Sequence, residues 1–302
     1  MMSMLTELQE TVSAVAAAMA PSVVGIGRRT RGSGVVVAKN RVLTNAHNLH
    51  GEDVTVRFVD GRTVRGSAAG VDWDGDLAVI EVDTADAPAI DWADGGVTIG
   101  SFVLSAAATG TGSARVSIGF VSSVERAFRG PGGRRITGSI EHTAPLAPGS
   151  SGSPLLDADG RLVGINTNRV GEGFYLALPA DAALRARVDA LARGDTPRRL
   201  RLGIAVAPSH VARRLRRSVG LPERDGVLIR EVEAGSPAQV AGLRQGDLIV
   251  AFGDHTVAGI DDLHDALVDA TLPVGITILR GAEELTLDVA PADEPGDTAP
   301  AD

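Results

Sequence analysis

The segment Pro148-Gly149-Ser150-Ser151-Gly152-Ser153-Pro154 sets serine hydroxyls in a tight, glycine-flanked loop. Alone, such a loop is more often a turn than a nucleophile, because an alcohol at neutral pH needs a base beside it before it attacks anything. Two further segments supply what is missing. Thr44-Asn45-Ala46-His47 follows the apolar run Arg41-Val42-Leu43, and Asp72-Trp73-Asp74-Gly75-Asp76 leads into Leu77-Ala78-Val79-Ile80. Counted as His47, Asp76 and Ser151, the chain carries a histidine, an aspartate and a serine in that order, 29 and 75 residues apart. An imidazole can take a proton from a hydroxyl and a carboxylate can orient the imidazole, which together activate a serine for acyl transfer.

The remaining candidates for chemistry read as structure. His50 forms an H-x-x-H pair with His47, but no third ligand follows and no HExxH is present, so a surface histidine is expected and no metal. His142, His210, His255 and His264 lie among polar neighbours and read as solvated. The glycine clusters Gly110–Gly112 and Gly130–Gly133 do not open helices after strands, so phosphate binding, and with it a nucleotide cofactor, is not expected. The arginines around GPGG (Arg126, Arg129, Arg134 and Arg135) read as a solvated loop.

The elements that must position the three residues are mostly strands. From Ser22 to about Tyr175 short β-branched runs recur (VVGIG, GSGVVVA, DVTVRFV, DLAVIEV, FVLSA, RVSIGFVSSV, RRITGSI, RLVGINT, FYLAL), separated by turns such as Asp60-Gly61 and Asp159-Gly160. Many short strands at this spacing predict a barrel or sandwich. The order of the three residues narrows this. An α/β-hydrolase runs Ser, Asp, His and a subtilisin-type fold Asp, His, Ser, whereas a chymotrypsin-like double barrel runs His, Asp, Ser. The order and the β-rich background agree with a mainly β, chymotrypsin-like double barrel, the expected fold. A helix closes the unit at AALRARVDALARG, with Leu184, Val188 and Leu191 on one face.

The 302 residues suggest two domains, and the text of the sequence changes after the polar stretch GDTPRRL. The expected division is an amphipathic helix at 1–21, a trypsin-like unit at 22–194, a linker at 195–200, a second unit at 201–291 and a disordered acidic tail at 292–302. The second unit reads as a small α+β module or a partly open barrel with two helices, at SPAQVAGL and IDDLHDALVDA. The chain has no cysteine, so disulfide staples, cysteine-ligated zinc and a thiol nucleophile are all excluded. A net charge of −9 offers no basic field for a nucleic acid. No run reaches the roughly 20 apolar residues of a membrane span. The first 20 residues hold Glu7 and Glu10 and no Lys or Arg, so a cytoplasmic location is expected, with the periplasm or cell envelope as the alternative if residues 1–20 act as an atypical signal.

TNAH, DLAVIEV and PGSSGSPLLDADGRLVGINT resemble the three catalytic segments of the HtrA (Deg) family of serine proteases, and PSVVGI and GSGVVVA resemble that family's first strands. The likeness covers about residues 12–180 and continues into a PDZ domain, carried by Arg201-Leu202-Gly203-Ile204 and AGSPAQVAGLRQGDLIVAFGD. The resemblance implies a chymotrypsin-like double six-stranded β-barrel, with Ser151 as nucleophile, His47 as general base, Asp76 as its orienting carboxylate, and the N–H groups of Gly149 and Ser151 as the oxyanion hole. It places Leu146 at the primary pocket, so cleavage after small or medium aliphatic residues is expected. In the PDZ domain Arg201, Leu202, Gly203 and Ile204 would receive a peptide carboxylate by β-augmentation, with Leu263 and Leu267 facing it or filling the core. A regulatory loop would fall on the arginine-rich GPGG stretch. The implied activity is ATP-independent hydrolysis of unfolded or damaged proteins by a homo-oligomer, a trimer in the family; the alternative is a peptide-binding, chaperone-like scaffold with a silent protease domain. Two positions depart from the family's GNSGGP: Ser150 replaces Asn, and Ser153 replaces a Gly and would strain the turn if that position required φ > 0.

Overall fold

The computed structural model describes residues 3–27, 31–51, 53–109, 114–130, 135–171, 173–196, 200–268, 270 and 272–290. The tail 292–302, the cluster Gly110–Gly112, Gly132 and Gly133, Arg134 and linker positions 197–199 lie outside them. The chain divides into two compact units, Met1–Pro197 and Arg198–Asp302.

In the first unit, helix α1 (Met4–Met19) is capped by Ser3 and buries Val15 and Met19 at its C-terminal end. Strands β1 (Val23–Ile26), β2 (Gly32–Ala38), β3 (Arg41–Thr44), β4 (Asp53–Phe58), β5 (Thr63–Asp72) and β6 (Leu77–Glu81) close into a barrel in the order β1-β2-β3-β6-β5-β4. Strands β7 (Phe102–Ala108), β8 (Ala114–Arg129), β9 (Arg135–His142), β10 (Pro154–Leu156), β11 (Leu162–Arg169) and β12 (Tyr175–Pro179) close a second, in the order β10-β11-β12-β9-β8-β7. Closure leaves neither sheet an edge. Helix α2 (Ala182–Ala192) follows, with Asp181 accepting from the Leu184 N–H as its cap.

The apolar runs are unbroken because many of these strands are buried on both faces. Along β1, β2, β3 and β6 successive residues join different cores: Val24, Val36, Val42 and Ile80 pack with Val54, Val56 and Phe58. Their neighbours Val23, Val35, Leu43 and Val79 pack instead with Leu104, Leu156, Leu162 and Ile165 of the second barrel and with Leu184, Val188 and Leu191 of α2. Period-two alternation of side chains across a strand produces this split. The second core therefore joins both barrels, and the polar residues at their shared boundary inherit a fixed geometry.

The arginines read as a solvated loop are largely in strands. Arg126 and Arg129 end β8, Arg135 begins β9, and the two strands form a long hairpin in which Arg126 pairs with Glu141 at 2.9 Å. The cross-strand ion pair and the ladder hold a stretch whose composition alone suggests a turn.

The second unit is a six-stranded sheet: β13 (Ile204–Ala207), β14 (Val227–Val232), β15 (Leu248–Phe252), β17 (Val274–Arg280) and β18 (Glu283–Val289) in the order β13-β14-β15-β17-β18, with β16 (His255–Thr256) on β15. It carries three helices, α3 (Ser209–Ser218), α4 (Pro237–Val240) and α5 (Ile260–Val268), where two are expected. The extra one, α3, has the sequence SHVARRLRRS, whose apolar face is only Val211, Ala212 and Leu215 among four arginines. It docks through Ala212 and through Arg216, whose guanidinium donates to the carbonyls of Pro222 and Gly281.

Candidate active site

Thr44 pairs with Ala78 in the β3–β6 ladder, so the residues just past β3 lie across from those just before β6. This brings His47, in a 3-10 turn after β3, onto Asp76. His47 Nδ1 is 2.9 Å from each Asp76 carboxylate oxygen, and the His47 backbone N–H donates to Oδ1 at 3.2 Å. A carboxylate only accepts, so the proton sits on Nδ1 and leaves Nε2 bare, the tautomer a general base needs. Asp76 is 1% exposed and sits at φ 53°, a left-handed conformation that few non-glycine residues adopt; Asn45 Nδ2 steadies it by donating to its carbonyl at 2.9 Å. Asp72, four residues earlier, is spent on Arg187 of α2 and on the Gly75 N–H. Asp76 is thus the carboxylate the fold delivers to His47.

Ser151 lies on two consecutive turns. In the first, the Ser150 N–H donates to the Ala147 carbonyl, with Pro148 second and Gly149 third at φ 88°, the type II arrangement. In the second, the Ser153 N–H donates to the Ser150 carbonyl, with Gly152 third at φ 86°. The positive φ falls on Gly152 and not on Ser153, so the substitution at 153 strains nothing. A side chain at 152 would collide with the Ser33 carbonyl oxygen, which makes that glycine obligatory. Among the described residues the N–H groups of Gly149 and Ser151 have no protein acceptor.

The serine hydroxyl does not bond His47. Ser151 Oγ donates to the Thr167 carbonyl at 3.1 Å, and Thr167 Oγ1 donates to Asp76 Oδ2 at 2.6 Å. Thr167 on β11 therefore ties the serine of one barrel to the carboxylate of the other, a role that sequence reasoning missed. Ser33, Asn48 and Asn166 were missed as well. Asn48 Nδ2 donates to the Ser151 carbonyl at 2.9 Å, and Asn166 holds Gly152 and Ser153 through its backbone. The only signal of Ser33 and Asn166 is polarity inside otherwise apolar strand runs, and that of Asn48 is its place beside His47 in the turn after β3.

His142 is wholly buried, contrary to its reading as solvated. Its Nε2 is 2.9 Å from Asn166 Oδ1 and its ring stacks on Tyr175, while Nδ1 has no partner among the described residues. Burial lowers its pKa to about 4. His264 is half-buried, also with an unpartnered Nδ1; His50, His210 and His255 are exposed. Leu146 is half-buried where the chain enters the first turn. No cluster of side chains suited to a metal occurs among the described residues, and none of their helices is long and apolar enough to cross a membrane.

In the second unit Gly203 has φ 75°, and a side chain there would strike Ser236, the cap of α4. Its carbonyl accepts from Glu233 and that of Leu202 from Ala238, whereas the N–H groups of Leu202 and Gly203 have no acceptor among the described residues. Arg201 pairs with Glu233 at 3.1 Å. Leu202 and Leu263 are both 3% exposed and belong to the core, leaving Ile204, at the start of edge strand β13, and Leu267 as the half-exposed apolar residues.

Residues 32–165 match the trypsin-like peptidase domain and residues 201–290 the PDZ domain. The chain is similar to the mitochondrial serine protease HTRA2 of Drosophila grimshawi, 29% identical over 283 residues that cover 87% of this chain and 66% of that one. The corresponding protein of Drosophila virilis is 30% identical, with 87% and 67% covered, so the match spans about two thirds of these relatives. Among solved structures, the HtrA-type protease AlgW with decapeptide aligns over 94% of this chain and 99% of its own at 24% identity and a TM-score of 0.66. The serine endoprotease from Yersinia pestis aligns over 92% and 96%, also at 24%, with a TM-score of 0.63. The fold likeness runs through both units in one order, as the sequence likeness does, and the chain belongs to the HtrA-type family of trypsin-like serine proteases with a PDZ domain.

Proposed function

We propose that this chain is an ATP-independent serine endopeptidase that degrades unfolded or damaged proteins, with its PDZ domain receiving C-terminal peptides. The observation that carries the reading is the Asp76–His47 pair, with Nε2 left bare, opposite a serine on a turn whose two flanking N–H groups are unspent. In this reading Ser151 Oγ leaves the Thr167 carbonyl and attacks the scissile carbonyl carbon as His47 Nε2 takes its proton. The oxyanion forms against the N–H groups of Gly149 and Ser151, and collapse expels the amine with the proton returned by His47. Water, activated by the same imidazole, then releases the acyl group. Asp76 stabilises the imidazolium and Thr167 holds Asp76.

Leu146, in a stretch from His142 to Leu156 that holds no acidic residue, supports cleavage after small or medium aliphatic residues. The spare N–H groups of Leu202 and Gly203 beside edge strand β13 support capture of a terminal carboxylate, with Ile204 and Leu267 gripping the last side chain. The decapeptide in a solved relative agrees with peptide binding. Assembly as a trimer belongs to this reading through the family. The test is casein degradation by wild type and Ser151→Ala, with and without a hydrophobic C-terminal peptide. Degradation lost in Ser151→Ala and raised by the peptide is expected. A wild type that binds casein without cutting it would leave the chaperone-like scaffold as the reading.

A further inference from the structure

Ser33 belongs to β2 of the first barrel, yet its polar groups act largely on the second. It is fully buried. Its N–H donates to the Ser151 carbonyl at 2.8 Å, and its hydroxyl donates to the Gly149 carbonyl at 2.8 Å while accepting the Ala108 N–H of β7 at 3.1 Å. The direction is fixed by chemistry: a carbonyl only accepts, so the single hydroxyl proton goes to Gly149 and a lone pair is left for Ala108. Its own carbonyl is held by Thr44 Oγ1 at 2.6 Å.

A planar peptide group moves as a unit. The Gly149 N–H belongs to peptide 148–149 and the Ser151 N–H to peptide 150–151, so peptide 149–150 is the plate between the two donors. Its N–H edge is bound within the turn, to the Ala147 carbonyl. Its C=O edge is bound from outside, by Ser33. Gly149 has the torsional freedom to let this plate rotate, and rotation would change the angle between the donors. A turn built on such a glycine needs an external hold.

We propose that Ser33 is a positioning residue for catalysis, its hydroxyl pinning the central peptide of the oxyanion turn from the opposite barrel. The proposal rests on the reading of Ser151 as nucleophile and of the two N–H groups as oxyanion donors. It makes transition-state stabilisation in the second barrel conditional on registry with the first, which also carries His47 and Asp76.

The experiment compares full-length wild type, Ser33→Ala, Ser33→Thr and Ser151→Ala on a chromogenic peptide. Binding is measured for a peptide boronate, which forms a tetrahedral adduct, and for the same peptide as a free acid. Labelling by a fluorophosphonate reports the nucleophile. For Ser33→Ala the expected result is kcat lower by about tenfold or more, KM within about threefold and boronate affinity weakened in step with kcat/KM, the free acid binding as in wild type. Ser33→Thr, which keeps the hydroxyl, restores kcat and boronate affinity. If Ser33→Ala is not recovered folded, Ser33→Cys, a weaker donor of similar size, carries the same expectation at an intermediate loss. Unchanged kcat and boronate affinity, equal losses for boronate and free acid, or a folded Ser33→Thr as impaired as Ser33→Ala would overturn the proposal while a labelled wild type keeps the nucleophile. A wild type that takes no label, or hydrolysis that survives Ser151→Ala, overturns the nucleophile reading and this proposal with it.

Discussion

His142 is held neutral by its surroundings. Asn166 Nδ2 faces Ser105, Ser153 and the Pro154 carbonyl, which fixes the amide so that Oδ1 meets His142 Nε2–H. A second proton would enter at Nδ1, where no acceptor waits, and burial outweighs the pull of Glu141. The folded pKa, about 4, lies below the unfolded 6.5, so the unfolded chain takes up the proton first. Stability is then complete above about pH 6.5 and lost as pH falls toward 4, by roughly 3 kcal/mol from this group. Urea midpoints of wild type and His142→Gln between pH 7.5 and 4 should diverge, the wild type falling further; parallel curves would show that His142 does not titrate this way. Thr167 makes a second residue-scale case. Thr167→Val removes a hydroxyl donor from Asp76 while keeping the shape of the side chain, and kcat/KM should fall by about tenfold with little change in Tm. An unchanged kcat/KM would mean that Asp76 faces His47 without help from the Thr167 hydroxyl.

Elements were legible where their period was uninterrupted. Strands such as β1, β2, β6 and β7 stood out because both their faces are buried, whereas the half-exposed β5 was not among the runs; α2 stood out because Leu184, Val188 and Leu191 share a face with a cap at Asp181. Helix α3 was not legible, since its docking face includes Arg216, a residue whose burial depends on the carbonyl of Pro222, just past the helix, and on that of Gly281, 65 residues away. The end of β8 was obscured in a similar way, because Arg126 finds its partner Glu141 only across the β8–β9 ladder. The site divides likewise. His47, Asp76 and Ser151 could be read from their types, order and motifs, but Ser33 and Thr167 act through groups 116 and 91 residues away and look like ordinary strand residues. One element-level prediction concerns the loop before β13. Gly203→Ala puts a side chain against Ser236 at a positive φ, so the loop must move away from α4. Binding of a hydrophobic C-terminal peptide, measured by fluorescence polarisation, should weaken by more than tenfold, while hydrolysis of a short peptide without stimulant stays at the wild-type level. Wild-type peptide affinity in this variant would remove the loop from the binding surface.

At the scale of the whole molecule, the partition of the cores dictates how it comes apart. Without cysteines, non-covalent contacts alone hold each unit. One core runs from α1 through both barrels to α2, so neither barrel keeps its full set of contacts if the other unfolds. The cores of the second unit draw only on its own residues, from Leu202 to Val289. Two cooperative transitions should therefore appear, and not three. Both tryptophans, Trp73 and Trp92, lie in the first unit, and Trp92 packs against the core that joins the barrels. Tryptophan fluorescence should follow a single transition in urea, whereas far-UV circular dichroism should show that transition and a second. The second should recur at the same midpoint in residues 200–290 expressed alone, with the shallow urea dependence of a domain of about 90 residues, roughly 1 kcal/mol per molar. A biphasic tryptophan signal would mean that the barrels unfold separately, in which case the shared core would not hold His47 and Asp76 against Ser151. A single transition common to both probes would instead mean that the two units are coupled in stability.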